Sequence, residues 1–180
     1  LNSRATGLLL NANEKSYLLL NKHTIQNDVP NQLTLLADFE QVEVDIPYGI
    51  FLSSDADFAL LKVASSNINR LSHLPASLVK LSTLSFLPGD KLLCAMISPL
   101  RNYQTKRYYK TFFVAGTPSA NIIEVDSAFE HGQSGSPCFD SNGGFVGIAK
   151  GFHKAESGES KIGFIEVLST NVIPDYLNQS

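Results

Sequence analysis

Apolar positions in this chain recur in short runs with a period of two, and almost nowhere with the ~3.6-residue spacing of an amphipathic helix. Val42, Val44 and Ile46 alternate with Glu43 and Asp45, as in a strand with one face in a core. Tyr17-Leu18-Leu19-Leu20, Phe58-Ala59-Leu60-Leu61-Lys62-Val63, Leu92-Leu93-Cys94-Ala95-Met96-Ile97 and Thr111-Phe112-Phe113-Val114 are further apolar runs of strand length. Pro137-Cys138-Phe139 and Phe145-Val146-Gly147-Ile148-Ala149 flank Ser141-Asn142-Gly143-Gly144, whose glycines suit the positive φ of a tight hairpin. Leucines at 78, 81 and 84 hint at a helical repeat, but Pro75 and Pro88 bracket the segment and Ser and Thr fill it, so it reads as a linker. The chain then divides into a first β half over 1–75, a linker over 76–87, and a second half over 88–170 that opens near Pro88-Gly89-Asp90. A short helix is expected only in the tail, 171–180, where Pro174 weakens the pattern. Many short strands with glycine-rich turns predict an all-β barrel or sandwich.

Composition narrows the picture. With 180 residues, 43% apolar and 17% charged, the chain suits one compact domain with a sizeable core. The net charge of -3 lacks the basic excess of a nucleic-acid footprint. The cluster Arg101, Lys106, Arg107 and Lys110 is interleaved with Tyr103, Tyr108 and Tyr109, but it is short and reads as a solvated strand and loop rather than a base-stacking surface. No apolar run approaches the ~18 residues that span a bilayer. Gly7-Leu8-Leu9-Leu10 is too short for a signal-peptide core, and the sequence opens on Leu1 rather than Met. Cys94 and Cys138 are too few for a zinc site or a disulfide scaffold; two buried thiols are the expectation, with a single bridge as the alternative. No cofactor or metal is expected.

The sharpest chemical signal is Gly132-Gln133-Ser134-Gly135-Ser136-Pro137. A serine hydroxyl is a weak nucleophile at its free pKa and needs a base and a place for the oxyanion formed on attack. Glycines on both sides of Ser134 allow a tight backbone turn, so that the amides of Gly132 and Ser134 converge on one point. His23 follows the apolar run 17–20, where a strand leaves the core; His131, in the serine loop, is the other nearby imidazole, whereas His73 and His153 carry no local motif. An orienting carboxylate is offered by Asp57, directly before an apolar strand, and by its competitor Asp55.

Taken together these segments resemble the chymotrypsin-like (trypsin-fold) serine peptidases, in the chain order His, Asp, Ser. In look they are most like the bacterial HtrA/DegP-type and glutamyl-endopeptidase-like domains. Thr6-Gly7-Leu8-Leu9-Leu10 resembles the opening strand, and Tyr17–Ile25 the strand into the histidine. Asp57-Phe58-Ala59-Leu60-Leu61-Lys62-Val63 resembles the aspartate motif and selects Asp57 over Asp55. Val125–His131 leads into the serine loop, and Phe145-Val146-Gly147-Ile148 and Ile162-Gly163-Phe164-Ile165 are similar to the walls of the specificity pocket.

The resemblance implies two Greek-key β-barrels with a triad of His23, Asp57 and Ser134 in the cleft between them, and an oxyanion hole from the Gly132 and Ser134 amides. It implies a pocket base near Ala128 and Phe129, walls at Ala149 and Gly163, His131 at the rim, and backbone at Lys150 and Gly151 that pairs with substrate. No acidic residue stands at the base and no histidine at Ala149, so a neutral, apolar P1 residue is expected. Gln133 stands where digestive members carry the aspartate of the zymogen salt bridge, so N-terminal cleavage is not the expected switch. Cys94 and Cys138 fall in neighbouring regions of the second barrel, which keeps a bridge open. The family also favours a secreted or periplasmic setting, and a polypeptide substrate.

The leading expectation is therefore a serine endopeptidase. The alternatives are a peptidase fold that binds extended peptides while cutting them slowly or not at all, and an all-β scaffold with a coincidental Gly-Gln-Ser-Gly sequence.

Overall fold

A computed structural model describes residues 5–25, 28–37, 40–51, 56–71, 74–75, 80–99, 105–154 and 161–167. The expected tail helix over 171–180 lies outside these residues, as do Asp55, His73, Arg101 and Tyr103. The described chain is all-β, apart from two short 3-10 turns at Lys22–Ile25 and Ile68–Arg70.

The first half contributes β1 (Leu8–Ala12), β2 (Lys15–Leu20), β3 (Gln32–Ala37), β4 (Glu40–Phe51), β5 (Ala59–Ala64) and the two-residue β6 (Leu74–Pro75). They form one six-stranded sheet in the order β3-β4-β5-β2-β1-β6. The second half contributes β7 (Lys91–Pro99), β8 (Thr105–Ser119), β9 (Ile122–Val125), β10 (Pro137–Phe139), β11 (Phe145–Lys154) and β12 (Lys161–Val167). These close into a barrel in the order β10-β11-β12-β9-β8-β7. Its core holds Leu92, Met96, Phe112, Val114, Val125 and Ile165, among others.

The unbroken apolar runs have a physical reason. Strand side chains alternate between faces, so a strand apolar at every position must be covered on both. In β2, Leu18 and Leu20 join Val42, Val44, Ile46 and Leu61 in the core of the first sheet. Tyr17 and Leu19 point the other way, into a cluster with Leu10, Phe58 and Leu60 that also takes in Phe145 and Ile148 of the second barrel. The two halves thus share a core, and β2 and β5 lie between it and the inner core of the first sheet. β4 is covered on one side only, which is why Glu43 and Asp45 stay in solvent.

The segment expected as a linker is tied down in part. Ser82 N–H donates to the Phe145 carbonyl at 2.8 Å, and Phe145 N–H donates to the Lys80 carbonyl at 2.7 Å. Leu81 packs against the shared core. The Ser82 hydroxyl donates to the Asp140 carboxylate, which also accepts the Asn142 and Gly144 amides at 2.8 Å each. Burial alone would push the Asp140 carboxyl up; the bonds from Ser82, Gly144 and Asn142 outweigh it and hold the group below the ordinary carboxylate value.

The expectation of two free thiols is corrected by the strand register. β10 lies antiparallel to β7 with Cys138 directly opposite Cys94, their Cα atoms 4.0 Å apart, and the two are joined as a disulfide. Sequence spacing could not supply that register. A bridge spanning 44 residues is expected to stabilise the fold by about 4 kcal/mol through the entropy of the unfolded chain. The double variant Cys94→Ala/Cys138→Ala should therefore lose about 2–4 kcal/mol in a denaturant titration. A midpoint equal to that of the parent protein would contradict this.

Candidate active site

The register of β2 and β5 creates the site. The strands run antiparallel with Leu20 opposite Ala59, so the exit of β2 lies beside the entry to β5. His23, in the 3-10 turn after β2, therefore meets Asp57, just before β5. Its Nδ1 lies 2.6 Å from Asp57 Oδ2, and its backbone N–H donates to Asp57 Oδ1 at 2.8 Å. A carboxylate only accepts, so Nδ1 carries the proton and Nε2 of the neutral ring is left with a free lone pair. The hydrogen bond that His23 donates to Asp57 raises the His23 pKa above its ordinary value, against the opposing effect of burial; the Asp57 charge adds to the rise and the Lys150 charge reduces it. Roughly half of the imidazole is open to solvent.

Two residues not singled out in the sequence support Asp57. Asn21 is fully buried, and its Nδ2 donates to Asp57 Oδ2 at 3.2 Å and to the Asp57 carbonyl at 3.3 Å. Glu166 of β12 is only 3% exposed. Its Oε1 accepts the Asp57 amide at 3.2 Å, and its Oε2 lies 3.3 Å from Lys150 Nζ. Among the described residues Asn21 Oδ1 finds no donor, and Glu166 Oε2 has that ion-pair contact but no aligned hydrogen bond. Neither residue was legible. Asn21 looks like a turn residue after a strand, and a carboxylate buried under a neighbouring strand leaves no local pattern.

Ser134 lies in the loop between β9 and β10. β11 holds that loop, since Gly135 N–H donates to the Ala149 carbonyl at 2.7 Å and Ala149 N–H to the Ser136 carbonyl at 2.9 Å. The first half holds it too. Thr6 N–H donates to the Ser134 carbonyl at 2.9 Å, and Thr6 Oγ1 to the Gly132 carbonyl at 2.8 Å. Thr6 is a third contributor the sequence reading missed. Gly132 and Gly135 have φ of 91° and 95°, in the region that favours glycine. Among the described residues the amides of Gly132 and Ser134 donate no hydrogen bond. The Ser134 hydroxyl donates to the Lys150 carbonyl at 3.4 Å rather than to His23.

The other expected site residues fall around this loop. Ala149 is fully buried beside it, and Gly163 of β12 leaves no room for a side chain, since a Cβ there would stand 2.4 Å from the Ser127 carbonyl oxygen. Phe129 lies in the barrel core, its ring 4.7 Å from that of Phe112. Ala128, Lys150 and Gly151 are half-buried, and His131 is exposed. Tyr108, from the basic and aromatic cluster, accepts a hydrogen bond from Gln133. Among the described residues no group of three His, Cys, Asp or Glu side chains is placed to hold a metal ion, and no helix is long and apolar enough to cross a membrane.

No protein-family model matches the chain. It is 26% identical over 167 residues to Protease Do-like 2, chloroplastic, of Arabidopsis thaliana, covering 89% of this chain and 26% of that protein. The chain thus spans about a quarter of the length of that curated relative. In shape it is similar to the MamO protease domain of Magnetospirillum magneticum in its apo form, with a TM-score of 0.61 at 16% identity, over 98% of this chain and 87% of that one. Rv3671c of M. tuberculosis, in an inactive serine-to-alanine mutant, matches with a TM-score of 0.61 at 16% identity, over 97% and 80% of the two chains. The catalytically active Tobacco etch virus protease, complexed with product, gives a TM-score of 0.63 at 12% identity, over 96% and 76%. Two packed β halves, the second a closed barrel, together with the likeness to these three structures, show that this chain has the chymotrypsin-like fold.

Proposed function

We propose that the chain is a serine endopeptidase domain, its two β halves forming one unit, in which Ser134 attacks, His23 is the general base and Asp57 orients it. The observation that carries this reading is the 2.6 Å contact of His23 Nδ1 with Asp57, which leaves Nε2 free to take a proton. The unpaired Gly132 and Ser134 amides support it, because donors without partners cost nothing to redirect toward a tetrahedral oxyanion. In the proposed cycle, a turn of the Ser134 hydroxyl away from Lys150 brings its proton to Nε2. Ser134 Oγ bonds to the scissile carbonyl carbon, the oxyanion forms between the two amides, and His23 returns the proton to the leaving amine. Water then repeats the sequence on the acyl-enzyme. With Ala128, Ala149 and Gly163 small and uncharged, the P1 residue accepted would be neutral and apolar.

A fluorophosphonate probe should label Ser134, as read by peptide mass mapping, and a peptide library should show cleavage after apolar residues. Absence of both labelling and cleavage would sink this reading. The orientation of Ser134 Oγ toward Lys150 favours one alternative, a module that binds extended peptides and cuts them slowly. Saturable peptide binding without turnover would select it.

The rate should depend on pH through His23. The base must be neutral, and its pKa is raised chiefly by the hydrogen bond it donates to Asp57, so kcat/KM should climb with pH through a value above the ordinary imidazole pKa of about 6.5. Lys150→Met removes the nearby cation and should move that limb to still higher pH. A shift to lower pH would contradict it.

A further inference from the structure

Gln133 sits between the two residues whose amides are free, and the residue is only 7% exposed. Such an amide must be hydrogen-bonded or it costs the fold its desolvation. Its Oε1 accepts the Glu130 amide at 2.7 Å, and its Nε2 donates to the Tyr108 hydroxyl at 2.8 Å. Its backbone N–H donates to the Glu130 carbonyl at 2.9 Å, and its own carbonyl accepts the Ser136 hydroxyl at 2.7 Å. Tyr108 stands on β8 opposite Met96, its ring half-buried against the barrel core. The bond from Gln133 to Tyr108 is thus a side-chain link from the serine turn itself to the barrel wall.

We infer that Tyr108 is a positioning residue for the oxyanion loop, acting through the Gln133 side chain. The inference rests on the serine-peptidase reading above. Any rearrangement that withdraws Gln133 breaks the bond to Tyr108 and leaves a buried N–H without an acceptor. Gln133 is covalently joined to Gly132 and Ser134, so the same rearrangement would turn their amides away from the carbonyl oxygen of a bound substrate. A hydroxyl on the barrel thereby keeps the loop in the one arrangement that presents both donors. The link is neutral, so its strength does not follow the ionisation of a carboxylate.

The test compares Tyr108→Phe, Gln133→Met and the double variant with the parent protein. Tyr108→Phe should lower kcat by about 10–100-fold with KM within about twofold, the signature of an interaction felt in the transition state. The affinity of a peptidyl boronate, whose tetrahedral adduct uses the same amides, should fall by a similar factor. Gln133→Met should do the same, and the double variant should be no worse than the poorer single one, since the two act through one bond. Labelling of the parent at Ser134 with unchanged kcat and boronate affinity in Tyr108→Phe overturns the inference and leaves the peptidase reading standing. Additive losses in the double variant, or a lower melting temperature with kcat unchanged, also overturn it. A parent protein that is neither labelled nor active sinks both.

Discussion

Ser134→Ala is expected to lower kcat by about 10⁶-fold and to abolish fluorophosphonate labelling, while KM and the melting temperature stay close to those of the parent. The size of the loss follows from the division of labour proposed for the site. Without Oγ there is no acyl-enzyme, and His23 and Asp57 have no nucleophile to activate. What survives is binding and the oxyanion donors, which in triad enzymes leave about 10³–10⁴-fold over water. Stability should hold because the structural bonds of Ser134 run through its backbone. Its carbonyl accepts from Thr6, whereas its hydroxyl makes only a 3.4 Å bond to the Lys150 carbonyl. Activity in Ser134→Ala comparable to the parent would assign the nucleophile elsewhere.

Gly135→Ala should be nearly as damaging by a different route. A Cβ at this position would stand 1.8 Å from the carbonyl oxygen of Thr6, and the residue's φ of +95° is one L side chains rarely adopt. The clash is with backbone, and Thr6 cannot retreat without breaking its bonds to Ser134 and Gly132. Strain of this kind costs about 1–3 kcal/mol, with the lost hydrogen bonds added. The expected result is a drop of about 2–4 kcal/mol in unfolding free energy, together with a labelling rate near that of Ser134→Ala. A melting curve and labelling rate matching the parent would show that the loop has another way to be held.

The contrast between these two positions marks what the sequence carries. The role proposed for Ser134 is legible because its neighbours in the chain belong to it: glycines shape the turn that would aim the amides. His23 and Asp57 are legible for a similar reason, each lying at the end of an apolar run long enough to be recognised as a strand. Their pairing needed only that the two runs be antiparallel neighbours. Thr6, Asn21 and Glu166 escape such reading. Each acts on a residue distant in the chain, and nothing beside it signals the partner. In β12 a carboxylate after Ile165 looks like the solvent face of an alternating strand, yet the packing of β11 and Asp57 buries it. The disulfide is the same case, because cross-strand pairing depends on a register that two separated cysteines do not encode. The linker shows the reverse: its prolines and serines describe a connector correctly in composition, while the hydrogen bonds of Lys80 and Ser82 to Phe145 bind it to the barrel.

The bond from Thr6 to Gly132 joins positions 126 residues apart. On a ribosome that emits the chain from its N-terminus, the segment that braces the serine loop is synthesised well before the loop and waits for it while the intervening residues follow. Contacts of such sequence separation form late, because the loop-closure entropy must be met before they bring any gain. Half-made chains would hold His23 and Asp57 but have no braced serine loop. The order of synthesis would itself hold back the proposed chemistry until that brace is made.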